Sequence, residues 1–183
     1  MSGTTLLSPA PQATSPRSTG AAALAVALSL RTDFWTPLVG FRDDTRWTRL
    51  LEPADLAGVL DPDLQGELAD AEVWLLSWLP GQGTDLHDHG PSSGAFAVAA
   101  GTLTERVVIA DRRGRHPREA SGELAAGRAR FFGPHYVHQV HNAGGEPAVS
   151  VHVYAPRLRV MNTYRVDGDR LVRTGTEQAG VDW

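Results

Sequence analysis

The chain has 183 residues, of which 42% are hydrophobic and 21% charged, with a net charge of −4. These values fit one globular domain with a substantial core, and the negative charge argues against a nucleic-acid surface, which needs a clustered basic face. The chain contains no cysteine and no lysine, which excludes disulfides, thiolate metal sites, cysteine nucleophiles and lysine Schiff bases.

The N-terminal part of the chain predicts a tail followed by a helix. Residues 1–18 are rich in Ser, Thr, Pro and Ala and are predicted to be a disordered tail, with residues 19–183 forming a single domain. Residues 21–30 are apolar but too short to span a bilayer. Only Arg17 precedes them as a positive charge, so a helix packed on the domain is favoured over a signal peptide. We therefore expect a cytoplasmic protein with no membrane partner.

The remaining elements predict a mainly β (α+β) domain with small N-terminal helices. Helices are predicted at 19–32, 35–39 and 53–60, and residues 44–51 predict a short strand or turn. From residue 71 onward, short apolar runs are separated by Gly, Pro, Asp and Asn, which is typical of an antiparallel barrel or sandwich. The predicted strands are 73–79, 94–100, 103–109, 128–132, 137–141, 148–154 and 163–166. The basic run at 112–118 is interpreted as a solvated hairpin loop.

Two histidines, His87 and His89, follow the first of these strands. Side chains two residues apart on a strand point to the same face, so both imidazoles can converge on one point. Imidazole is the commonest protein ligand of divalent transition metals. A second cluster, His135, His138 and His141, lies downstream. The histidines therefore predict a metal site.

The spacing of these histidines resembles the two motifs of the cupin family. The first motif is matched by Gly81-x5-His87-x-His89-x4-Gly94-x6-Gly101, and the second is approximated by Gly127-x10-His138-x3-Asn142. The resemblance implies a cupin jelly-roll β-barrel. Many cupins place a metal-binding glutamate where this chain has Gly94, so the implied ligands are His87, His89 and His138. His135 and His141 are expected to face away from the metal.

Three neutral ligands leave the full charge of a ferrous ion uncompensated, which favours binding an anion such as a thiolate. They also leave up to three sites of an octahedron open. Zinc would fit three histidines as well, so the ligand set by itself does not decide the metal.

Further segments resemble cysteine dioxygenases and related thiol dioxygenases. Ser150, His152 and Tyr154 match that family's Ser-x-His-x-Tyr strand, and the run from Tyr154 to Tyr164 resembles its bacterial members. The resemblance implies that the three side chains form a hydrogen-bonded relay beside the iron. It also implies that Arg49 binds the substrate carboxylate, because residues 46–50 resemble the family's short arginine-bearing strand. Without that resemblance, Arg49 could be a surface salt-bridge residue and His152 a core histidine.

The implied function is an Fe(II)-dependent thiol dioxygenase that converts L-cysteine and O2 to cysteine sulfinic acid. The partners are then a small-molecule thiol and O2, with no nucleic acid, and the protein is expected to be a monomer or weak homo-oligomer. Arg49 favours cysteine over 3-mercaptopropionate, because the variants associated with that acid tend to carry Gln in its place. A non-catalytic cupin that senses or stores a metal or small acid is the alternative from another class.

Gly94 is a departure from the mammalian enzymes, which have at this position a cysteine crosslinked to the active-site tyrosine. The crosslink cannot form in a chain without cysteine. Tyr154 is therefore expected to be an unmodified phenol, as in bacterial thiol dioxygenases that carry glycine here.

Overall fold

The computed structural model describes residues 16–179. Residues 1–15 and 180–183, and with them most of the predicted tail, lie outside the described residues, so the predicted domain bounds stay predictions. The first helix begins at Pro16, three residues earlier than predicted.

Short helices occupy the N-terminal third of the described chain, and strands occupy the rest. The helices are α1 (Pro16–Ser29), α2 (Thr32–Trp35), α3 (Pro53–Leu56), α4 (Pro62–Gln65) and a 3-10 turn at Gly66–Leu68. The strands are β1 (Trp47–Leu50), β2 (Glu72–Trp78), β3 (Leu86–Asp88), β4 (Ser93–Ala100), β5 (Thr102–Ile109), β6 (Arg118–Ala125), β7 (Ala129–Phe132), β8 (Val137–His141), β9 (Ala148–Ala155), β10 (Val160–Asp167) and β11 (Arg170–Gln178).

The strands form two antiparallel sheets, as the mainly β prediction required. One sheet has five strands in the order β1-β2-β9-β4-β7, and the other has six in the order β11-β10-β3-β8-β5-β6. Side chains from both sheets, among them Trp78, Phe96 and Val140, form one buried interior cluster. The metal-ligand candidates lie in this interior, and the fold is a double-stranded β-helix of the cupin type.

All seven strands predicted from apolar runs are present, and β1 lies within the segment predicted as a short strand or turn, but β3, β6 and β11 were missed. Strands β6 and β11 lie at the edges of the six-stranded sheet. Most of their residues are exposed or half-buried, so their sequences lack the apolar alternation that identifies a half-buried strand. The residues between β5 and β6 include the basic run, which forms the predicted hairpin loop.

Helix α1 covers the outer face of the five-stranded sheet. Leu24, Ala25 and Leu28 are buried against β4 and β9, where they meet residues such as Ala97 and Val151. This packing confirms the prediction that the apolar run is a helix on the domain. The helix predicted at 35–39 is replaced by the one-turn helix α2 followed by a turn. In the described part of the chain, no helix is long and apolar enough to cross a membrane.

Gly94 on β4 is required by close packing. A Cβ built there would collide with the carbonyl oxygen of Val153 and would lie 2.7 Å from a ring carbon of Phe132. The Phe132 ring in turn stacks on His89, with centroids 4.6 Å apart. The backbone therefore leaves no room at position 94 for a fourth ligand side chain.

We expect Gly94→Ala to lower the free energy of unfolding by about 1–3 kcal/mol, the usual cost of overpacking a core. Urea denaturation of the purified variant measures this loss. Gly122→Ala on β6 is the matched control, because a Cβ there meets no atom within 4 Å. Equal stability of the two variants would contradict the packing argument.

Candidate metal centre and substrate pocket

The three predicted ligands meet in the interior. His87 lies directly opposite His138 in the pairing of β3 with β8, and His89 follows at the end of β3. Their ligand nitrogens lie within 4.8 Å of one another, and the Nε2 atoms of His87 and His89 are 3.2 Å apart. Two nitrogens bound to one metal at about 2.1 Å would be separated by roughly 3.0–3.4 Å, so the geometry suits a metal ion.

The hydrogen bonds of the imidazoles direct lone pairs into the pocket. His87 Nδ1 lies 2.8 Å from the carbonyl oxygen of Asp85, and His138 Nδ1 lies 2.8 Å from Oε1 of Glu105. Each Nδ1 therefore carries the proton, since its partner can only accept a hydrogen bond. Nε2 is then unprotonated, and its lone pair can bind a metal. Nε2 of His138 is buried with no hydrogen-bond partner among the described residues. A metal would satisfy it, so these residues fit a three-histidine metal site.

Asp88, which lies between His87 and His89, anchors β3 in the sheet. Its buried carboxylate accepts hydrogen bonds from the Gly90 amide (2.9 Å), Asn162 Nδ2 (2.7 Å) and the Tyr164 hydroxyl (2.8 Å). Burial opposes ionisation, but these donors hold the pKa of Asp88 below its ordinary value. The carboxylate thereby ties the ligand strand to β10.

Burial keeps three histidines of the pocket, His87, His89 and His152, neutral. It lowers the pKa of His87 to about 3, helped by the nearby His138. Burial is also the main cause that lowers the pKa of His89 and of His152 well below the usual value. The three rings are therefore neutral at physiological pH and available as ligands or hydrogen-bonding groups.

These pKa shifts predict that the metal-free protein loses stability in mild acid. Unfolded histidines take up protons near pH 6.5, whereas these three stay neutral when folded, so stability falls as the pH drops below 6.5 towards the folded values. Between pH 7.5 and 5.5 the free energy of unfolding should fall by a few kcal/mol for the three histidines together. Urea denaturation at the two pH values measures the difference, which His152→Gln should reduce by about one third. An equal free energy of unfolding at both values would contradict the expectation.

Of the three side chains predicted to form a relay on β9, Ser150 and His152 are hydrogen-bonded to each other. Trp78 Nε1 donates to Ser150 Oγ (2.9 Å), and Ser150 Oγ lies 2.9 Å from His152 Nε2. The indole can only donate, so the serine proton is free to go to His152. Tyr154 lies in the same pocket, but its ring centroid is 6.4 Å from that of His152 and no hydrogen bond joins the two. Burial raises the pKa of the Tyr154 phenol, so it remains a hydrogen-bond donor.

Arg49, predicted to bind the substrate carboxylate, lies outside this pocket. It pairs with Leu75, which faces the helix-covered outer side of the sheet. Its guanidinium donates to Asp55 Oδ1 at 2.9 Å, with 38% of the side chain exposed. This is the salt-bridge alternative, and it corrects the predicted position of Arg49. Arg46, the residue before β1, lines the pocket instead, since side chains three residues apart in an extended segment face opposite sides.

Arg46 lines the pocket together with the three candidate ligand histidines. Its Cζ lies 6.0 Å from the centre of the Trp78 ring, a cation–π contact. Its Nε is buried with no hydrogen-bond partner among the described residues, and burial lowers its pKa. The resemblance found in the sequence covers this segment, but the inward direction of Arg46 follows only from the placement of the neighbouring β1 against β2.

The pocket is narrow, with about 20 Å³ open to the centre of a water-sized molecule. Its walls combine the metal-ligand candidates with aromatic and aliphatic side chains. They are Arg46, Trp74, Leu76, Trp78, Thr84, His87, His89, His138, Val140, His152, Tyr154 and Met161. A wider cleft shares Arg46 and Thr84 with it and continues to Gln139 and His141. The arrangement can hold a metal ion and a small anion side by side, screened from bulk water.

The fold and the three-histidine centre define a cupin with a candidate metal site. The family model of cysteine dioxygenase type I matches residues 62–167, more than half of the chain. The protein therefore belongs to the cysteine dioxygenase type I family. No curated protein matches the chain significantly.

Solved structures of similar fold are distant in sequence. Oxalate decarboxylase from Bacillus subtilis is 14% identical over 68% of this chain and 29% of its own, with a TM-score of 0.51. A protein from Thermus thermophilus is 24% identical over 67% of this chain and 93% of its own (TM-score 0.48). An uncharacterized conserved protein with a double-stranded β-helix domain from Klebsiella pneumoniae is 18% identical over 76% and 93% (TM-score 0.47). At these identities the likeness concerns the fold alone.

Proposed function

We propose that this protein is an Fe(II)-dependent thiol dioxygenase that converts L-cysteine and O2 to cysteine sulfinic acid. One observation carries the proposal: an arginine with an unpartnered, buried Nε lines the same pocket as a three-histidine centre and a tyrosine, in a chain of the cysteine dioxygenase type I family. The thiol and O2 are the proposed partners, in the cytoplasm, with the protein acting as a monomer or weak homo-oligomer.

The charges of the pocket support an anionic substrate. His87 and His89 are neutral, so they leave the charge of a bound divalent ion uncompensated, and Arg46 adds a further positive charge beside it. A thiolate and a carboxylate on one small molecule would supply two negative charges. Such a molecule gains from both contacts at once, since opposite charges attract strongly where water is excluded.

Each residue then has a defined task. The Arg46 guanidinium can bind the carboxylate through two parallel hydrogen bonds and so orient the substrate. Tyr154, kept protonated by burial, can donate a hydrogen bond to substrate or oxygen. Ser150 and Trp78 hold the imidazole of His152 in one orientation, and Trp74, Leu76 and Met161 exclude water.

A bound ferrous ion would supply the site for thiolate and O2 and the electron transfer between them. Both atoms of O2 end on sulfur, so that a thiol and O2 give a sulfinic acid with no other reactant. The protein's contribution is orientation and charge neutralisation.

A second candidate substrate is 3-mercaptopropionate. None of the described residues that line the pocket is acidic, so the amine of cysteine has no carboxylate partner there. Arg46 can bind the carboxylate of either thiol, so the choice of cysteine is supported by the family and no longer by Arg49.

Oxygen uptake by iron-loaded protein tests the proposal, with each thiol supplied in turn and the sulfinate product identified. We expect sulfinate from cysteine. A strong preference for 3-mercaptopropionate would change the substrate, and no sulfinate from either would refute the dioxygenase. Metal analysis adds a discriminator, because zinc or no metal in the purified protein would favour the non-catalytic cupin.

A further inference from the structure

The three ligand histidines differ in what holds the nitrogen that faces away from the pocket. Nδ1 of His87 bonds to a neutral backbone carbonyl, whereas Nδ1 of His138 bonds to the carboxylate of Glu105. Nδ1 of His89 is buried and has no partner among the described residues. The ring of His138 is thus the one whose hydrogen-bond partner is a charged group.

Glu105 is a charged residue on an apolar face. It lies on β5 two residues after Leu103, which is fully buried in the interior cluster, and its own side chain is only 1% exposed. Burying a carboxylate is costly unless it is paired and hydrogen-bonded. Here both oxygens are used, since Oε1 bonds to His138 and Oε2 accepts from Arg130 Nε at 2.6 Å.

The ion pair of Glu105 with Arg130 connects His138 to the protein surface, because the Arg130 side chain is 39% exposed. Arg130 lies on β7 of the five-stranded sheet and Glu105 on β5 of the six-stranded one. The pair therefore has two candidate roles: a tie between the sheets, or an electrostatic control on the metal ligand.

We propose that Glu105 is a positioning residue that strengthens His138 as a metal ligand and lowers the reduction potential of the bound metal. A carboxylate that accepts a hydrogen bond from Nδ1 fixes the orientation of the ring and increases the electron density on Nε2. Its negative charge favours the more highly charged oxidation state, and Arg130 moderates that charge. The inference rests on the metal site of the proposed function and is independent of the thiol reaction.

Glu105→Gln tests the inference by removing the charge while keeping an oxygen that can accept from His138. We expect the affinity for Co²⁺ and Fe²⁺ to fall by about 10–100-fold. The affinity for Fe³⁺ should fall more than the affinity for Fe²⁺, so the reduction potential of bound iron should rise. The rise is about 59 mV for each tenfold difference between the two losses of affinity. Glu119→Gln is the matched control, because Glu119 on β6 pairs at the surface with Arg106, the neighbour of Glu105 on β5, and it should leave both quantities unchanged.

Arg130→Gln separates the two roles. If Glu105 acts on the ligand, removing Arg130 leaves the negative charge of Glu105 without its positive partner. The reduction potential of bound iron should then fall below that of the wild type. If the pair only ties the sheets, both variants lower the melting temperature and leave the potential unchanged, which would overturn the inference. This readout also serves if Glu105→Gln does not fold. A wild-type protein that binds neither ion would overturn the proposed function as well, whereas wild-type binding with an unaffected Glu105→Gln variant overturns this inference alone.

Discussion

Replacing His87 with alanine is expected to abolish binding of a divalent metal. The Nε2 of His87 lies 3.2 Å from that of His89 and faces His138 across the paired strands. Removing one of three protein ligands should cost more than the ~100-fold that loss of an outer hydrogen-bond partner can cost. The measurement is the metal content of purified protein, followed by titration with Co²⁺. In the wild type, metal should also raise the melting temperature, because it binds the folded state; in the variant it should not.

His116→Asn is the control for this experiment. His116 is exposed on the basic hairpin loop and has a left-handed backbone (φ 55°), which asparagine tolerates. This variant should keep the metal content of the wild type. Full metal binding by His87→Ala would refute the three-histidine centre.

Arg46→Ala is expected to lower kcat/KM for the thiol acid by about 100-fold, with metal binding retained. Hydrogen bonds to charged groups contribute about 1.5–3 kcal/mol, and about 2.7 kcal/mol corresponds to this factor. Arg46→Lys should recover part of the loss, because it keeps the charge but lacks the two-pronged geometry of the guanidinium. Steady-state oxygen uptake at varied thiol concentration measures both variants.

Arg49→Ala is the matched comparison, three residues along the same segment. Its salt bridge to Asp55 is partly exposed, so the variant should lose about 0–1 kcal/mol of stability and little activity. If Arg49→Ala instead causes the large loss and Arg46→Ala does not, the role predicted from sequence for Arg49 is correct and the one proposed for Arg46 is not.

The local patterns of the sequence were sufficient where a strand is well buried. Short apolar runs separated by turn residues identified seven strands, and the two-residue spacing of His87 and His89 placed both on one side. Edge strands β6 and β11 were missed because their exposed side chains carry no such pattern. Glu105 could have been noticed from the alternation of residues along β5, as a charge between the inward positions of Leu103 and Val107.

The sequence by itself identified the candidate ligands, the Ser150-x-His152-x-Tyr154 strand and the family, because each depends on spacing along one strand or on a motif. Tertiary structure alone decided which arginine reaches the pocket, since a shift of one residue in strand pairing reverses the direction of every side chain. It also decided that Glu105 is hydrogen-bonded to His138 and that Tyr154 is not hydrogen-bonded to His152. Both results depend on how the strands pack together. Contacts between distant segments depend on register and packing, which local spacing does not record.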